Sequence, residues 1–255
     1  MMLINICALK DNYIWILYTR NNSCIIVDPG ISEIVINKII QKKLCPKAIL
    51  LTHEHQDHTD GVKIILEKYP EIVVFGPEEI KNCHVHQIVK AGDTIRLLNN
   101  NIDIFSTPGH TLGHISYYLK PYLFCGDTIF SSGCGRVFQN NYLYMYNSIQ
   151  LIKSFPNQTI LCCAHEYTLA NLIFAMHILP KDRNLIKYYK KIKKKIFLKK
   201  NIFPCYLYNE KKVNIFMRTD EFYLKKWINF KKNKNSFEIF CYLRKYKDFF
   251  GAKRD

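Results

Sequence analysis

The stretch Thr52–His58 constrains this chain of 255 residues more than any other. It reads THEHQDH and places three imidazoles and two carboxylates within six consecutive positions. It directly follows Ala48–Leu51, a short apolar run that is typical of a buried strand. So many ionisable groups beside a buried strand repel one another or lose hydration unless a cation collects them. The stretch therefore predicts a metal site at a strand end, where ligands are held rigidly.

The residue types also indicate which metals suit this site. A single histidine is most often an ordinary core or surface residue, but the H-x-H-x-D-H spacing concentrates four ligand-type side chains. Neutral imidazole together with carboxylate suits zinc, manganese or iron rather than calcium or magnesium. The pattern therefore favours a transition-metal or zinc site and leaves the choice among these metals open.

The same arrangement, an apolar strand followed by a residue able to bind metal, recurs along the chain. Three further predicted strands end in such residues: His110, Asp127 and His165. In layered α/β folds the ends of strands converge on a crevice at one edge. We therefore expect these side chains to join the cluster that follows Leu51.

Asp28 also ends an apolar run, Cys24–Val27. It is either an acceptor for the outer nitrogen of a ligating imidazole or a simple turn residue, and the sequence leaves both roles open. His84 and His86 share an H-x-H spacing but lie in a polar segment without nearby carboxylates. We interpret these two histidines as surface residues.

Composition limits the class of protein further. The ten cysteines are scattered without a C-x-x-C pair, and no apolar run of eighteen residues suggests a membrane span. The N-terminal residues have no basic segment or cleavage site and read as a first strand rather than a signal peptide. These features predict a reduced, cytoplasmic protein. The net charge of +16 would suit an anionic partner, but lysine is abundant throughout the chain, so charge alone does not establish one.

The chain divides into two regions of different character. Strands and helices alternate up to His165, whereas helical spacing dominates from about Asn171 onwards. We predict a domain over residues 1–165 that carries the metal ligands and a smaller helical domain over residues 166–255. The lysine-rich helices of the second domain are interpreted as solvated faces.

Several of these motifs together resemble the metallo-β-lactamase superfamily and, within it, glyoxalase II, the hydroxyacylglutathione hydrolases. The metal motif specifies only the superfamily, and the Cys-Gly-Arg turn, His-Glu-Tyr-Thr and the basic tail narrow the resemblance to the hydrolases. The segments that carry it span nearly the whole chain: Asp11–Trp15, Thr52–His58, Thr107–His114, Phe124–Thr128, Gly133–Arg136, Ala164–Thr168 and Leu243–Asp248.

This resemblance implies an α+β fold, a four-layer αββα sandwich with a smaller all-helical C-terminal domain. It implies two divalent metal ions, most often zinc, with iron or manganese possible. One metal would be held by His53, His55 and His110. The other would be held by Asp57, His58 and His165. Asp127 would bridge the two metals.

The resemblance also implies an activity. Members hydrolyse S-(2-hydroxyacyl)glutathione, chiefly S-D-lactoylglutathione, to D-lactate and glutathione, the second step of methylglyoxal degradation. A hydroxide bridging the metals attacks the thioester, with Asp57 and Asp127 as the catalytic carboxylates. The substrate-binding residues implied are Arg136, Tyr167, Arg244 and Lys247. Some members have tyrosine where this chain has Phe138, which puts one hydroxyl contact with the peptide in doubt.

Three other activities occur in the superfamily, of which the first two serve as alternatives. A persulfide dioxygenase is disfavoured by the long helical C-terminal region and the basic tail. The positive charge favours a metal-dependent RNA-processing nuclease. Such nucleases usually carry an extra arm or inserted domain, and the short segment between His114 and Asp127 leaves no room for one. A lactamase is disfavoured by the aspartate at the bridging position. We therefore predict a monomeric enzyme whose partner is a small-molecule glutathione thioester, with no nucleic-acid or membrane partner.

Overall fold

The structure, a computed structural model, describes residues 1–80, 84–227 and 235–252. Two six-stranded sheets lie face to face with helices outside them, so the predicted αββα sandwich is confirmed. The nine cysteines among the described residues are free, and Cys83 lies outside the described residues.

The first sheet has its strands in sequence order. Strands β1 to β3 pair antiparallel, and β3 to β6 pair parallel. Its strands are β1 (Met2–Ala8), β2 (Asn12–Tyr18), β3 (Ser23–Val27), β4 (Cys45–Leu50), β5 (Val73–Gly76) and β6 (Gln87–Ile88).

The second sheet has the order β14-β13-β10-β9-β8-β7, and only its β10–β13 pair is parallel. Its strands are β7 (Thr94–Leu97), β8 (Asn100–Ser106), β9 (Ile115–Leu119), β10 (Tyr122–Gly126), β13 (Ile160–Cys163) and β14 (Cys205–Tyr206). A separate two-stranded hairpin is formed by β11 (Ile129–Phe130) and β12 (Gly133–Cys134).

The helices cover the outer faces of the two sheets and form most of the C-terminal region. They are α1 (Ser32–Lys42), α2 (Gln56–Thr59), α3 (Val62–Lys68), α4 (Tyr142–Ser154), α5 (Thr168–Ile178), α6 (Arg183–Phe197), α7 (Leu207–Val213), α8 (Phe222–Trp227) and α9 (Ser236–Ala252). Among the described residues no helix is both long and apolar enough to span a membrane.

The alternation of side chains along β4 divides the core in two. Ala48 and Leu50 point into the space between the sheets, where they join a cluster with Trp15 and Tyr117. Ile49 points the other way and packs with α1 and α3. Because both faces of the C-terminal half of this strand are covered, the run Ala48–Leu50 is apolar rather than alternating. This explains why the strand was recognisable as a buried run.

The parallel strands place their C-terminal ends at one edge of the sandwich. Asp28 and Asp127 directly follow strands β3 and β10, and Thr52 and His165 lie two residues after the ends of β4 and β13. The two sheets are also joined at this edge, since the Ile115 N–H donates to Thr52 O at 3.0 Å. The functional side chains of both sheets therefore meet at this edge.

The segment after β4 is partly helical. Gln56–Thr59 forms the short helix α2, so Asp57 and His58 lie on a helical turn. Gly30 permits this turn to approach the end of β3, because a Cβ atom there would lie 1.7 Å from Asp57 O. The contact is long-range, and a pattern read from one segment does not reveal it.

Candidate metal centre

Three histidines form a first cluster at the edge of the sandwich. His53 and His55 follow β4, whereas His110 lies in the loop between β8 and β9. His55 Nδ1 lies 3.0 Å from His53 Nε2 and 3.0 Å from His110 Nε2. The structure therefore brings together the three residues that were predicted to hold one metal.

A second cluster contains one carboxylate and two histidines. Asp57 Oδ2 lies 3.5 Å from His58 Nε2 and 3.4 Å from His165 Nε2. Asp57 and His58 come from α2 and His165 from the segment after β13, and their ligand atoms lie within 4.8 Å of one another. They are the residues predicted to hold the other metal.

Asp127 lies between the two clusters and offers one oxygen to each. Its Oδ2 is 3.3 Å from His110 Nε2 in the first cluster. Its Oδ1 is 3.6 Å from His58 Nε2 and 3.4 Å from His165 Nε2 in the second. A carboxylate in this orientation is placed to bridge two metal ions.

The spacing of these atoms fits metal ions of the zinc type. For bonds of about 2.0–2.1 Å, neighbouring ligands of a tetrahedral metal lie about 3.3 Å apart. The separations named above run from 3.0 to 3.6 Å. His58 Nε2 and Asp127 Oδ1 are buried and have no hydrogen-bond partner among the described residues. Buried polar atoms left unpaired in this way are what a bound cation would satisfy.

The electrostatics of the two clusters differ. Burial, followed by the neighbouring imidazoles, lowers the pKa of His53, so this side chain stays neutral and able to bind metal. Burial opposes protonation of His58 and His165, yet Asp127 and the other carboxylates raise their pKa values to about 10 and about 11. The second cluster thus attracts positive charge, as a cation site must.

Polar groups outside the clusters orient the imidazoles. Asp28 Oδ2 lies 3.2 Å from His58 Nδ1, and the same carboxylate accepts from the Thr52 N–H at 2.8 Å and from the Thr52 hydroxyl at 2.7 Å. His53 Nδ1 lies 3.0 Å from that hydroxyl. Of the two roles left open for Asp28, its position favours that of an acceptor for an imidazole, because outer partners fix which nitrogen faces the metal.

Three further outer partners were missed by the sequence analysis. His165 Nδ1 lies 2.9 Å from Asp11 Oδ1, Asn12 Nδ2 donates to Asp57 Oδ2 at 2.8 Å, and His110 Nδ1 donates to Arg136 O at 2.9 Å. Asp11 and Asn12 lie in Asp11–Trp15, one of the segments that resemble the hydrolases, but the neighbouring residues did not indicate a role for them. Asp11 is 154 positions from His165 along the chain, so only the fold joins them.

His114 belongs to neither cluster and instead holds the backbone at Asp127. It is fully buried, and its Nε2 accepts from the Asp127 N–H at 3.1 Å while Nδ1 faces the Thr107 hydroxyl at 2.9 Å. Gly126, with φ of 44°, allows this approach, because a Cβ atom there would lie 2.6 Å from His114 Nε2. The backbone at Asp127 is therefore held in place.

Two of the four predicted substrate-binding residues flank the clusters. The Arg136 side chain is exposed and lies over the Phe138 ring at 5.9 Å, and that ring is 5.4 Å from the His110 ring. Tyr167 stacks on His165 with ring centroids 5.0 Å apart. Arg136 and Tyr167 therefore lie at the two sides of the metal centre.

The other two residues, Arg244 and Lys247, lie on α9 behind the β11–β12 hairpin. Arg244 is buried and donates from Nη1 to Cys134 O at 3.1 Å and from Nη2 to Asp248 at 2.7 Å, which leaves Nε without a partner among the described residues. Lys247 donates to Asn171 Oδ1. Burial, followed by repulsion from Arg244, lowers the pKa of Lys247 to about 7.

Comparison with known families gives two matches along the chain. The model described as "Metallo-beta-lactamase superfamily" matches residues 11–86, which include the ligands after β4. The model described as "Hydroxyacylglutathione hydrolase C-terminus" matches residues 166–250, which include α5 to α9. The second match is the more specific one.

Full-length relatives and a solved structure agree with these matches. Hydroxyacylglutathione hydrolase of Buchnera aphidicola subsp. Schizaphis graminum is 60% identical over 98% of this chain and 100% of the relative. The enzyme of the same name from Klebsiella pneumoniae is 49% identical over 98% of this chain and 100% of the relative. The crystal structure of ETHE1 from Myxococcus xanthus, at 19% identity, covers 94% of this chain and 99% of its own with a TM-score of 0.66, which shows a shared fold. The clusters and the superfamily match together indicate a centre for two divalent metal ions.

Proposed function

The chain belongs to the hydroxyacylglutathione hydrolases of the metallo-β-lactamase superfamily, and from this membership we infer that it hydrolyses the thioester of S-(2-hydroxyacyl)glutathione. Its principal substrate is S-D-lactoylglutathione, and its products are D-lactate and glutathione. The observation that carries this inference at the site is the position of Asp127, which presents one oxygen to each of two clusters.

The metal ligands proposed are those that the structure brings together. One ion would be held by His53, His55 and His110. The other would be held by Asp57, His58 and His165. Asp127 would be shared. Zinc is the metal proposed, although iron and manganese accept the same ligand types. When bound, two such ions lower the pKa of water towards neutrality and stabilise negative charge on oxygen.

The protein side chains then supply orientation and charge. Burial alone would raise the pKa of Asp57, but the neighbouring imidazoles of His165 and His58 hold it far below the usual range. Asp57 is therefore an ionised acceptor, held by Asn12, that orients the attacking water. Asp28, Thr52 and Asp11 keep the imidazoles in the orientation that the centre needs.

No protein thiol is required as the nucleophile. Burial raises the pKa of Cys134, the cysteine in the turn that leads to Arg136, even though Arg244 acts to lower it. A thiol with a raised pKa is a weak nucleophile at neutral pH, because the thiolate is the reactive form. The departing glutathione thiolate is itself a good leaving group. Hydrolysis by activated water therefore suits this site better than a covalent mechanism.

Substrate binding is proposed to use both sides of the centre. Arg136 and Tyr167 contact the peptide part of glutathione from opposite sides of the clusters, and Arg244 and Lys247 provide positive charge for its glycine carboxylate. In the structure the Arg244 guanidinium already donates to Cys134 O and Asp248, so Lys247 is the more available of the two cations. The phenyl ring of Phe138 offers packing but no hydroxyl.

The activity is tested by thiol release from S-D-lactoylglutathione, followed with a thiol reagent, using the protein loaded with two zinc ions. We expect rapid release that is absent from the heat-denatured protein and from the buffer with zinc alone. A correctly folded protein that holds two metals and releases no thiol would contradict the proposed function. The protein would then be incubated with glutathione persulfide and oxygen, and a measurement of oxygen uptake would test the dioxygenase alternative.

Lys247 is expected to make substrate affinity depend on pH. Its ammonium is charged below its pKa of about 7 and attracts the glycine carboxylate, so KM should be lowest below neutrality and rise as the proton is lost. Between about pH 6 and about pH 9 we expect KM to rise roughly tenfold while kcat changes less. Initial rates across this range measure both quantities.

Two variants separate this effect from titration of the substrate. Lys247→Arg keeps its charge throughout and should show a nearly flat KM, since a guanidinium does not lose its proton in this range. Lys247→Ala should have a high KM at every pH and a kcat close to that of the wild type. A wild-type KM that follows the same curve as Lys247→Arg would exclude Lys247 as the group that titrates.

The proposal also includes a cytoplasmic, monomeric enzyme that acts on a small molecule without a nucleic-acid or membrane partner. The free state of the described cysteines supports a reducing compartment. Size-exclusion chromatography with light scattering tests the monomeric state directly.

A further inference from the structure

The β11–β12 hairpin links the metal centre to the C-terminal region. It begins two residues after Asp127 and ends two residues before Arg136. Its backbone is bonded to side chains of α5, α7 and α9 and to Asn214, which directly follows α7. The hairpin has no role in the proposed chemistry, so these bonds call for a separate explanation.

Amide side chains bind the hairpin carbonyls. Asn214 is fully buried and donates from Nδ2 to Gly133 O at 2.8 Å and to Phe130 O at 3.2 Å. Asn171 donates to Ser131 O at 3.0 Å. A buried carbonyl without a hydrogen-bond donor destabilises the folded state. These two amides therefore restrict the position of the hairpin.

Glu210 binds the tip of the hairpin. It is fully buried, and its carboxylate accepts from the Ser132 N–H at 2.6 Å and from the Ser131 hydroxyl at 2.8 Å. Ser132 has φ of 58°, a backbone conformation that a non-glycine residue adopts only when its surroundings hold it. Burial raises the pKa of Glu210 to about 7, although the Ser132 N–H and the Ser131 hydroxyl act to lower it. The folded protein thus holds a carboxylate in a position where burial disfavours its charged form.

The two residues that follow the hairpin contact both clusters of the metal centre, through the shared Asp127 and through His110. Gly135, the residue after β12, lies so close to Asp127 that a Cβ atom there would be 1.8 Å from Asp127 O. The next residue, Arg136, presents its carbonyl oxygen to His110 Nδ1 at 2.9 Å. A shift of the hairpin would therefore move the shared carboxylate and the partner that orients a first-cluster histidine.

We propose that Glu210 and Asn214 are positioning residues for the metal centre, which act through the β11–β12 hairpin on Asp127 and on the Arg136 carbonyl. The C-terminal region thereby does more than contact substrate, because it sets the affinity of the centre for metal. The link to the reaction rests on the proposed function, whereas the effect on metal binding does not.

The test compares metal binding by full-length variants. Metal-free wild type, Glu210→Ala and Glu210→Gln are titrated with Co²⁺, and the visible absorption of the bound ion is recorded. We expect Glu210→Ala to bind the more weakly held ion roughly 10-fold to 100-fold less tightly, the range typical of lost outer partners. Glu210→Gln should recover most of the affinity, because its carbonyl can accept from the Ser132 N–H while its amide faces the Ser131 hydroxyl.

Asp182→Ala is the matched control. Asp182 also belongs to the C-terminal region, where it caps α6 and pairs with Arg218, but it makes no bond to the hairpin. This variant should unfold at a lower temperature yet keep wild-type affinity for both Co²⁺ ions. If Glu210→Ala does not fold, Asn214→Ser, which removes the amide donors but keeps a small polar side chain, takes its place with the same expected loss.

Each outcome separates the two proposals. A folded Glu210→Ala or Asn214→Ser protein that binds two Co²⁺ ions as tightly as the wild type would overturn the positioning role. So would an equal loss of Co²⁺ affinity in Asp182→Ala, since destabilisation alone would then explain the effect. If the wild type releases no thiol from S-D-lactoylglutathione, the proposed function fails, while the Co²⁺ comparison still decides the positioning role.

Discussion

Replacing Asp127 by alanine is expected to lower kcat for thioester hydrolysis on the order of 10³-fold or more. Asp127 is the one described side chain whose two oxygens face different clusters, 3.3 Å from His110 and 3.4 Å from His165. Its loss removes a ligand from each cluster and leaves His58 and His165 without their strongest negative neighbour. Steady-state rates and the metal content of the purified variant measure both effects.

The control is Asp103→Ala, the same change at a carboxylate on β8 that bonds to Thr94 and takes no part in either cluster. It should keep two metal ions and wild-type kcat. An Asp127→Ala protein that retains two ions and more than about a tenth of the wild-type kcat would show that the two clusters do not depend on a shared carboxylate.

Removing the metals is expected to abolish activity and to lower the melting temperature. A ligand that binds only the folded state at 100 times its dissociation constant stabilises it by about 2.7 kcal/mol. For a chain of this length that corresponds to a shift of roughly 5–10 °C for each ion removed. The buried, unpaired atoms His58 Nε2 and Asp127 Oδ1 are the physical reason, because without a cation their lost hydration is not replaced.

Chelation with dipicolinate, followed by metal analysis, differential scanning calorimetry and thiol release, tests this expectation. Adding back zinc, iron or manganese one at a time should restore both the activity and the melting temperature, and the rates identify the preferred metal. Asp127→Ala should show a smaller thermal shift on chelation than the wild type. A protein shown to be free of metal that still hydrolyses the thioester would exclude the metal-dependent mechanism.

The strand ends were predictable from the sequence because their signals are local, whereas the αββα fold and the family followed from the resemblance of the motifs to the metallo-β-lactamase superfamily. The run Ala48–Leu51 is apolar without alternation since both faces of β4 are buried, and ligand-type residues follow it at once. The same pattern preceded Asp127 and His165. The end of a strand can be predicted from its sequence, because the alternation of side chains and the residues that favour turns both depend on neighbouring positions.

Relationships between distant segments were not predictable in this way. Asp11 reaches His165 across 154 positions, and the outer partner of His110 is the backbone carbonyl of Arg136, which no residue type announces. The short helix that carries Asp57 and His58 depends on a close approach to Gly30. Such contacts follow from how the two sheets superpose, and one strand's pattern contains no information about the other's position.

The sequence by itself thus determined the strand ends and the kinds of side chain available at the crevice through local periodicity, and the class of fold and the family through the resemblance of its motifs to a known superfamily. Only the tertiary structure decided which oxygen of Asp127 faces which cluster. It also decided that the Arg244 guanidinium donates hydrogen bonds within the protein, and that Glu210 and Asn214 bind the hairpin beside the metal centre. The physical reason is that hydrogen bonds and metal coordination act over a few ångströms and depend on direction, so they are settled only when separate segments are packed together.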